Sequence, residues 1–158
     1  MKKHKVKVSP LAFFAKAICK LLEEFPLFTA SIDINTMKII KKDFINLGIA
    51  VDTPQGLIVP NIKSANKMSI REISDEIARL ANLSKSRKIK VEDLKGSTFT
   101  ISSLGSFGGK FFTPIINPPE VAILGISKSY DSVLLKDNKP ISITTVSYTH
   151  LRAHETQY

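Results

Sequence analysis

Few side chains in this sequence could do chemistry: one cysteine, three histidines and the serine pair Ser102-Ser103. A thiol or an imidazole works as nucleophile or general base only in a polar, accessible setting. Cys19 lies among apolar residues and reads as inert core. His4 belongs to the basic terminus and reads as an exposed terminal residue, whereas His150 and His154 stand close together in a polar C-terminal stretch. Ser102 and Ser103 close an alternating segment just before Gly105-Ser106-Phe107-Gly108-Gly109. On residue types alone, their hydroxyls would satisfy local backbone groups ahead of the turn. No metal-ligand cluster, P-loop or dinucleotide fingerprint can be read, because the glycine run lacks the spacing around a Gly-Lys-Ser/Thr end and the following helix that phosphate sites use. It reads instead as a loop needing positive backbone dihedrals.

The elements that must carry these residues follow from periodicity. Pro10 and Leu11 to Phe25 predict a helix stopped by Pro26, with Phe14, Ala17, Ile18, Leu21 and Leu22 on its apolar stripe. Phe28 to Ile34 and Met37 to Ile40 have strand character around an Asn35-Thr36 turn. Ile49 to Val51 and Leu57 to Val59 predict a hairpin through Thr53-Pro54-Gln55-Gly56. Ser69 to Leu83 is a second helix, with Ile70, Ile73, Ile77 and Leu80 at helical spacing and a Ser69/Glu72 capping box. Ser97 to Ser102 and the wholly apolar Val121 to Ile126 read as strands. A last hairpin is expected from Val133 to Thr144, turning at Asp137-Asn138. This order implies a layered α/β or α+β domain with helices covering one face of a sheet.

At 158 residues, 43% hydrophobic and 23% charged, the chain has the bulk properties of one folded domain. The net charge of +9 is spread along the length. The dense group Lys85, Arg87, Lys88 and Lys90 reads either as a solvated face or as a site for phosphates or other acidic groups. Without aromatic-basic interleaving, nucleic-acid binding is not expected. Lys16, Lys20, Glu23 and Glu24 break the first apolar stretch, so neither a signal peptide nor a membrane span is expected. A lone cysteine forms no internal disulfide, which points to the cytoplasm. After Thr145 the character changes. Residues 146–158 read as a tail apart from the rest, either a translated linker segment or a genuine flexible end.

Three blocks together are more specific than any single motif. They are Ile45-Asn46-Leu47-Gly48-Ile49-Ala50-Val51-Asp52-Thr53-Pro54-Gln55-Gly56-Leu57-Ile58-Val59-Pro60, then Phe99-Thr100-Ile101-Ser102-Ser103-Leu104-Gly105-Ser106-Phe107-Gly108-Gly109, and Thr113-Pro114-Ile115-Ile116-Asn117-Pro118-Pro119-Glu120-Val121-Ala122-Ile123-Leu124-Gly125. In this order and spacing they resemble the catalytic domain of the dihydrolipoamide acyltransferases, the core components of 2-oxoacid dehydrogenase complexes, and most nearly the acetyl-transferring, pyruvate-type branch. The resemblance covers residues 1–145 as a partial catalytic domain and leaves 146–158 outside it.

The resemblance implies an incomplete α/β two-layer sandwich of the chloramphenicol acetyltransferase kind, with helices on one face of a mixed sheet. It implies acyl transfer between dihydrolipoyllysine and coenzyme A as substrate, the lipoyl group being carried on a separate domain absent from this chain. The expected assembly is a homotrimer that builds a larger core and meets 2-oxoacid dehydrogenase and dihydrolipoamide dehydrogenase subunits. Ser102 matches the family serine that donates to the oxyanion, with Ser103 its competitor for the role. The family's general base lies in an Asp-His-Arg motif followed by Asp-Gly or Asn-Gly. Here Thr149-His150-Leu151-Arg152 replaces the acid, inserts a leucine and lacks the following pair, and His154 fits no better, so the base motif is absent and His150 reads as a decoy. The fragment is therefore expected to be inactive itself; the alternative is a non-catalytic oligomerisation module of the same fold.

Overall fold

The computed structural model describes residues 8–33, 35–104, 112–127, 130–136, 139–145 and 149–153. It opens with helix α1 (Pro10–Glu24), a 3-10 turn (Pro26–Thr29) and strands β1 (Ser31–Asp33) and β2 (Lys38–Ile40). Strands β3 (Leu47–Ile49), β4 (Val51–Thr53), β5 (Gly56–Ile58) and β6 (Asn61–Ile62) lead through a second 3-10 turn (Ala65–Lys67) to helix α2 (Ile70–Lys85). A one-turn helix α3 (Val91–Leu94) precedes β7 (Phe99–Ser103), β8 (Ala122–Ile126), β9 (Tyr130–Lys136), β10 (Lys139–Thr145) and β11 (Thr149–Ala153).

Five strands form one mixed sheet in the order β11-β8-β7-β3-β6. Strands β3, β7 and β8 run parallel, with antiparallel β6 and β11 beside them. Register decides what each face carries, because side chains alternate along a strand. Gly48 lies opposite Thr100, Thr100 opposite Ile123 and Ser102 opposite Gly125, which puts all of them on one face. Leu47, Ile49, Phe99, Ile101, Ala122, Leu124 and Ile126 occupy the other face. These seven enter the main hydrophobic core beside Ala12, Ala15, Cys19 and Leu22 of α1 and Ile73 and Leu80 of α2. Each fully buried Leu, Ile or Phe there stabilises the fold by roughly 1.5–3 kcal/mol. One face is thus apolar and helix-covered, and the other carries Gly48, Thr100, Ser102 and Gly125 beside Ile123.

The helices sit where the sequence predicts, with one rotation. In α1 the buried line is Ala12, Ala15, Cys19 and Leu22, while Ala17 is exposed and Leu21 is 49% exposed. The predicted stripe favoured bulky residues; the small side chains at 12, 15 and 19 let α1 pack closely, chiefly against α2, and leave Phe14 and Ile18 flanking the core. The Lys16 ammonium then donates to the carbonyls of Asn66 (2.8 Å) and Met68 (2.7 Å), fixing α1 on the turn before α2. The capping box forms as expected, Glu72 N donating to Ser69 Oγ (3.2 Å) and Ser69 N to Glu72 Oε2 (2.7 Å).

Helix α2 ends in a Schellman turn: Lys88 N donates to Leu83 O (2.9 Å) and Arg87 N to Ser84 O (3.2 Å). The residue after the C-cap must be left-handed, and it is Arg87, at φ 59°. A non-glycine residue there costs roughly 1–2 kcal/mol, part of which glycine would return as extra unfolded-state entropy. Arg87→Gly is therefore expected to raise stability by about 0.5–1 kcal/mol, read as a higher urea midpoint at unchanged slope; an unchanged or lower midpoint contradicts this account.

Other departures from the sequence reading have local causes. The predicted strand Ile49 to Val51 divides at Ala50: β3 stays in the main sheet, while β4 leaves it to pair with β5 around Thr53 to Gly56. Thr53 Oγ1 donates to Gly56 O at 2.6 Å, and Gly56 takes φ 117°, as the turn chemistry requires. The segment opening at Phe28 is a 3-10 turn before it becomes β1. Residues 149–153, which show no strand alternation in the sequence, pair with β8. The β9–β10 hairpin is present, its turn at 137–138 outside the described residues.

Candidate active site

Ser102 sits near the end of β7, half-buried, with Gly125 of β8 beside it in register. Ser102 and Ser103 both line a cavity of about 480 Å³ whose walls include Ile49, Val51, Leu57 and Ile77, with Asp52 and Lys85 as its charged members. The hydroxyls of Ser102 and Ser103 make no hydrogen bond among the described residues. Among the described residues no backbone group takes either hydroxyl; the glycine turn that follows them lies outside the described residues. The pleat also separates them: Ser103 falls on the helix-covered face and Ser102 on the opposite one.

The neighbourhood of Ser102 on that face is built from missing side chains. A Cβ added at Gly125 would lie 3.1 Å from Phe112 Cζ and 3.2 Å from Pro114 Cγ, so residues 112–114 run directly over the backbone next to Ser102. A Cβ at Gly48 would lie 2.6 Å from Thr100 Oγ1 and 2.7 Å from Ser97 Oγ. Glycine at 48 leaves the room those two hydroxyls occupy.

That room holds a residue to which the sequence reading assigned no role. Glu120 is 4% exposed. Its Oε1 accepts from Thr100 Oγ1 at 2.9 Å and from Asn117 Nδ2 at 3.5 Å, while Oε2 is buried with no partner among the described residues. Burial raises its carboxyl above the usual range, against the hydrogen bonds from Thr100 and Asn117, the nearby Ser97 hydroxyl and the charge of Lys42. An acid directly before an apolar strand was the available signal, and it was legible in Asn117-Pro118-Pro119-Glu120.

Cys19 is buried and desolvation pushes its thiol up to about 11, so it stays protonated and has no nucleophilic role. Lys85 brings one member of the basic group to the cavity. Arg87, Lys88 and Lys90 are exposed around the α2 terminus. The register sets His150 of β11 opposite Gly125, two strands from Ser102. His4, His154 and the 105–109 glycine loop lie outside the described residues. No histidine lines the Ser102 cavity among the described residues. No group of three or more His, Cys, Asp or Glu able to hold a metal ion occurs among the described residues, and none of their helices is long and apolar enough to cross a membrane. Ser103 shares the face that carries the Ile49 and Ile77 walls, while Ser102 borders the cavity from the other side of the strand end, a hydroxyl suited to a carbonyl oxygen that gains charge.

The model of the 2-oxoacid dehydrogenases acyltransferase catalytic domain matches residues 1–152. The chain belongs to this family. It is 48% identical over 128 residues to the dihydrolipoyllysine-residue acetyltransferase component of the pyruvate dehydrogenase complex of Buchnera aphidicola, a match covering 81% of this chain and 32% of that protein. Its structure is similar to that of the Azotobacter vinelandii dihydrolipoamide acetyltransferase, with TM-score 0.80 and 39% identity over 95% of this chain and 60% of that one. In that enzyme a serine, a histidine and an asparagine have been examined for roles in the catalytic mechanism. Chloramphenicol acetyltransferase shares the fold at 12% identity, with TM-score 0.51 over 85% of this chain and 65% of that one. The expected acyltransferase fold is therefore present: a mixed sheet with its helices on one face. The chain spans about a third of the Buchnera relative and about three-fifths of the solved acetyltransferase core.

Proposed function

We propose that this chain is part of an acyltransferase that moves an acyl group, acetyl in a pyruvate-type complex, between dihydrolipoyllysine and coenzyme A. The observation that carries it is Ser102 at the edge of the cavity on β7, its hydroxyl without a partner among the described residues. Attack by a thiol sulfur on the thioester carbonyl carbon gives a tetrahedral intermediate. Its oxygen takes the negative charge and accepts from Ser102, and collapse breaks the bond to the departing sulfur. The attacking thiol is mostly protonated at neutral pH and needs a general base. The family's Asp-His-Arg motif does not occur in these 158 residues, and His150 is a decoy for it. The chain alone is therefore inactive.

Coenzyme A is a substrate, with Lys85 at the cavity placed to meet its acidic phosphates, and the lipoyl group arrives on a separate domain. The working unit is a homotrimer within a larger core, in the cytoplasm, with 2-oxoacid dehydrogenase and dihydrolipoamide dehydrogenase subunits as partners. A test joins residues 1–145 in frame to a segment bearing Asp-His-Arg and assays acetyl transfer from acetyl-coenzyme A to dihydrolipoamide. Transfer by the joined chain and none by the 158-residue chain is the expected result. A folded, trimeric joined chain without transfer would overturn the reading and favour a non-catalytic oligomerisation module.

A further inference from the structure

The segment 112–120 touches the β7–β8 pair at two points that bracket Ser102. At one end Phe112 and Pro114 lie against Gly125, the cross-strand neighbour of Ser102. At the other end the Glu120 carboxyl receives the hydroxyl of Thr100, which shares a strand and a face with Ser102. Glu120 N donates to Asn117 O at 3.0 Å, closing the turn that presents the carboxyl. We infer that Glu120 is a positioning residue for Ser102, fixing through Thr100 the strand end from which that serine reaches the cavity. The inference rests on the reading of Ser102 as the oxyanion donor.

Burial favours the neutral form of this carboxyl. An ionised Glu120 would bury a charge with one oxygen unpartnered, which is among the more costly arrangements in a protein interior. Glu120 also lines a separate cavity of about 320 Å³, where Lys42 and Lys95 are the charged groups. Neither ammonium is hydrogen-bonded to the carboxyl; Oε1 takes Thr100 and Asn117, and Oε2 has no hydrogen-bond partner among the described residues. Oxyanion stabilisation is sensitive to donor placement on the scale of a fraction of an ångström. A tether one residue pair away from the donor therefore acts on turnover more than on substrate binding.

The test compares Glu120→Gln, Glu120→Leu and Thr100→Val in the full-length acyltransferase chain, each assayed well below its own melting temperature, with Ser102→Ala alongside. Glutamine keeps the acceptor for Thr100 and mimics the neutral acid, so kcat stays within about twofold. Glu120→Leu and Thr100→Val each lower kcat by about 10–100-fold with both KM values nearly unchanged. In the 158-residue chain, the amide NMR shifts of Ser102 and Leu104 move in the leucine variant and not in the glutamine variant. An unchanged kcat in Glu120→Leu, or equal damage from glutamine and leucine, overturns the inference. A silent Ser102→Ala instead removes the oxyanion reading beneath it, and in that case the amide shifts still decide whether Glu120 holds the strand end.

The same groups set a pH dependence of stability. With its folded value raised above about 4.3, the ordinary glutamate value, Glu120 keeps its proton in the native state where the unfolded chain has lost it. Stability then falls as pH rises from the unfolded to the folded value and stays lower above it. Glu120→Gln removes that slope, so the variant melts higher than the parent at neutral pH and the gap closes in acid. A gap that widens in acid would show the ionised form to be native.

Discussion

Replacing Ser102 with alanine should lower kcat for acyl transfer by about 10²–10³-fold in the full-length acyltransferase chain, which corresponds to about 2.7–4 kcal/mol of lost transition-state stabilisation. The hydroxyl acts on charge that develops only as the thioester carbonyl becomes tetrahedral, so KM for coenzyme A and for the dihydrolipoyl donor should move little. Stability should barely change, because Ser102 is half-buried and its hydroxyl has no partner among the described residues. Ser103→Ala is the matched control. Its hydroxyl lies on the opposite face of the same strand, and its removal should cost less than about threefold. Steady-state rates with both substrates saturating separate the two serines. Equal losses, or a larger loss at Ser103, would assign the chemistry to the wrong hydroxyl.

The second large effect concerns packing. Gly48→Ala should destabilise the fold by about 3 kcal/mol, combining overpacking with damage to the buried Thr100–Glu120 hydrogen bond. The added methyl would meet Thr100 Oγ1, Ser97 Oγ and Val59 Cγ1 at 2.6, 2.7 and 3.0 Å, and Gly48 cannot withdraw because β3 is paired on both sides, to β6 and β7. For a domain of this size that is roughly 6–12 °C in melting temperature. Gly125→Ala, whose methyl would meet side-chain carbons at 3.1–3.3 Å, should cost distinctly less. Thermal melts of the two variants rank them, and a Gly48→Ala protein as stable as its parent would mean that strand β3 shifts freely.

Periodicity was informative wherever one physical term dominated. The α2 cap and spacing, the Thr53–Gly56 reversal and the apolar β8 were legible because capping, turn dihedrals and burial on both sides leave local signatures. The buried line of α1 was misjudged because alanines carry little hydrophobic weight in a pattern, although small size is what close packing selected. The departure of the chain from the sheet at Ala50 has no local mark, since no proline or glycine stands at the break between β3 and β4. Ser102 was singled out by family resemblance, and its separation from Ser103 became visible only with the register. Glu120 was readable as a residue but not as a buried one: its role depends on Thr100, twenty positions away and brought alongside by the parallel pairing of β7 and β8.

Two neighbouring hydroxyls on a pleated strand make the site sensitive to parity. Loss or gain of a single residue between Phe99 and Ile101 would exchange which serine faces the helices and which faces away, with no change in composition. A two-residue change would restore the original facing while moving the pair along the strand. Substitutions can adjust this site by degrees, whereas an odd change in strand length would invert it in one step.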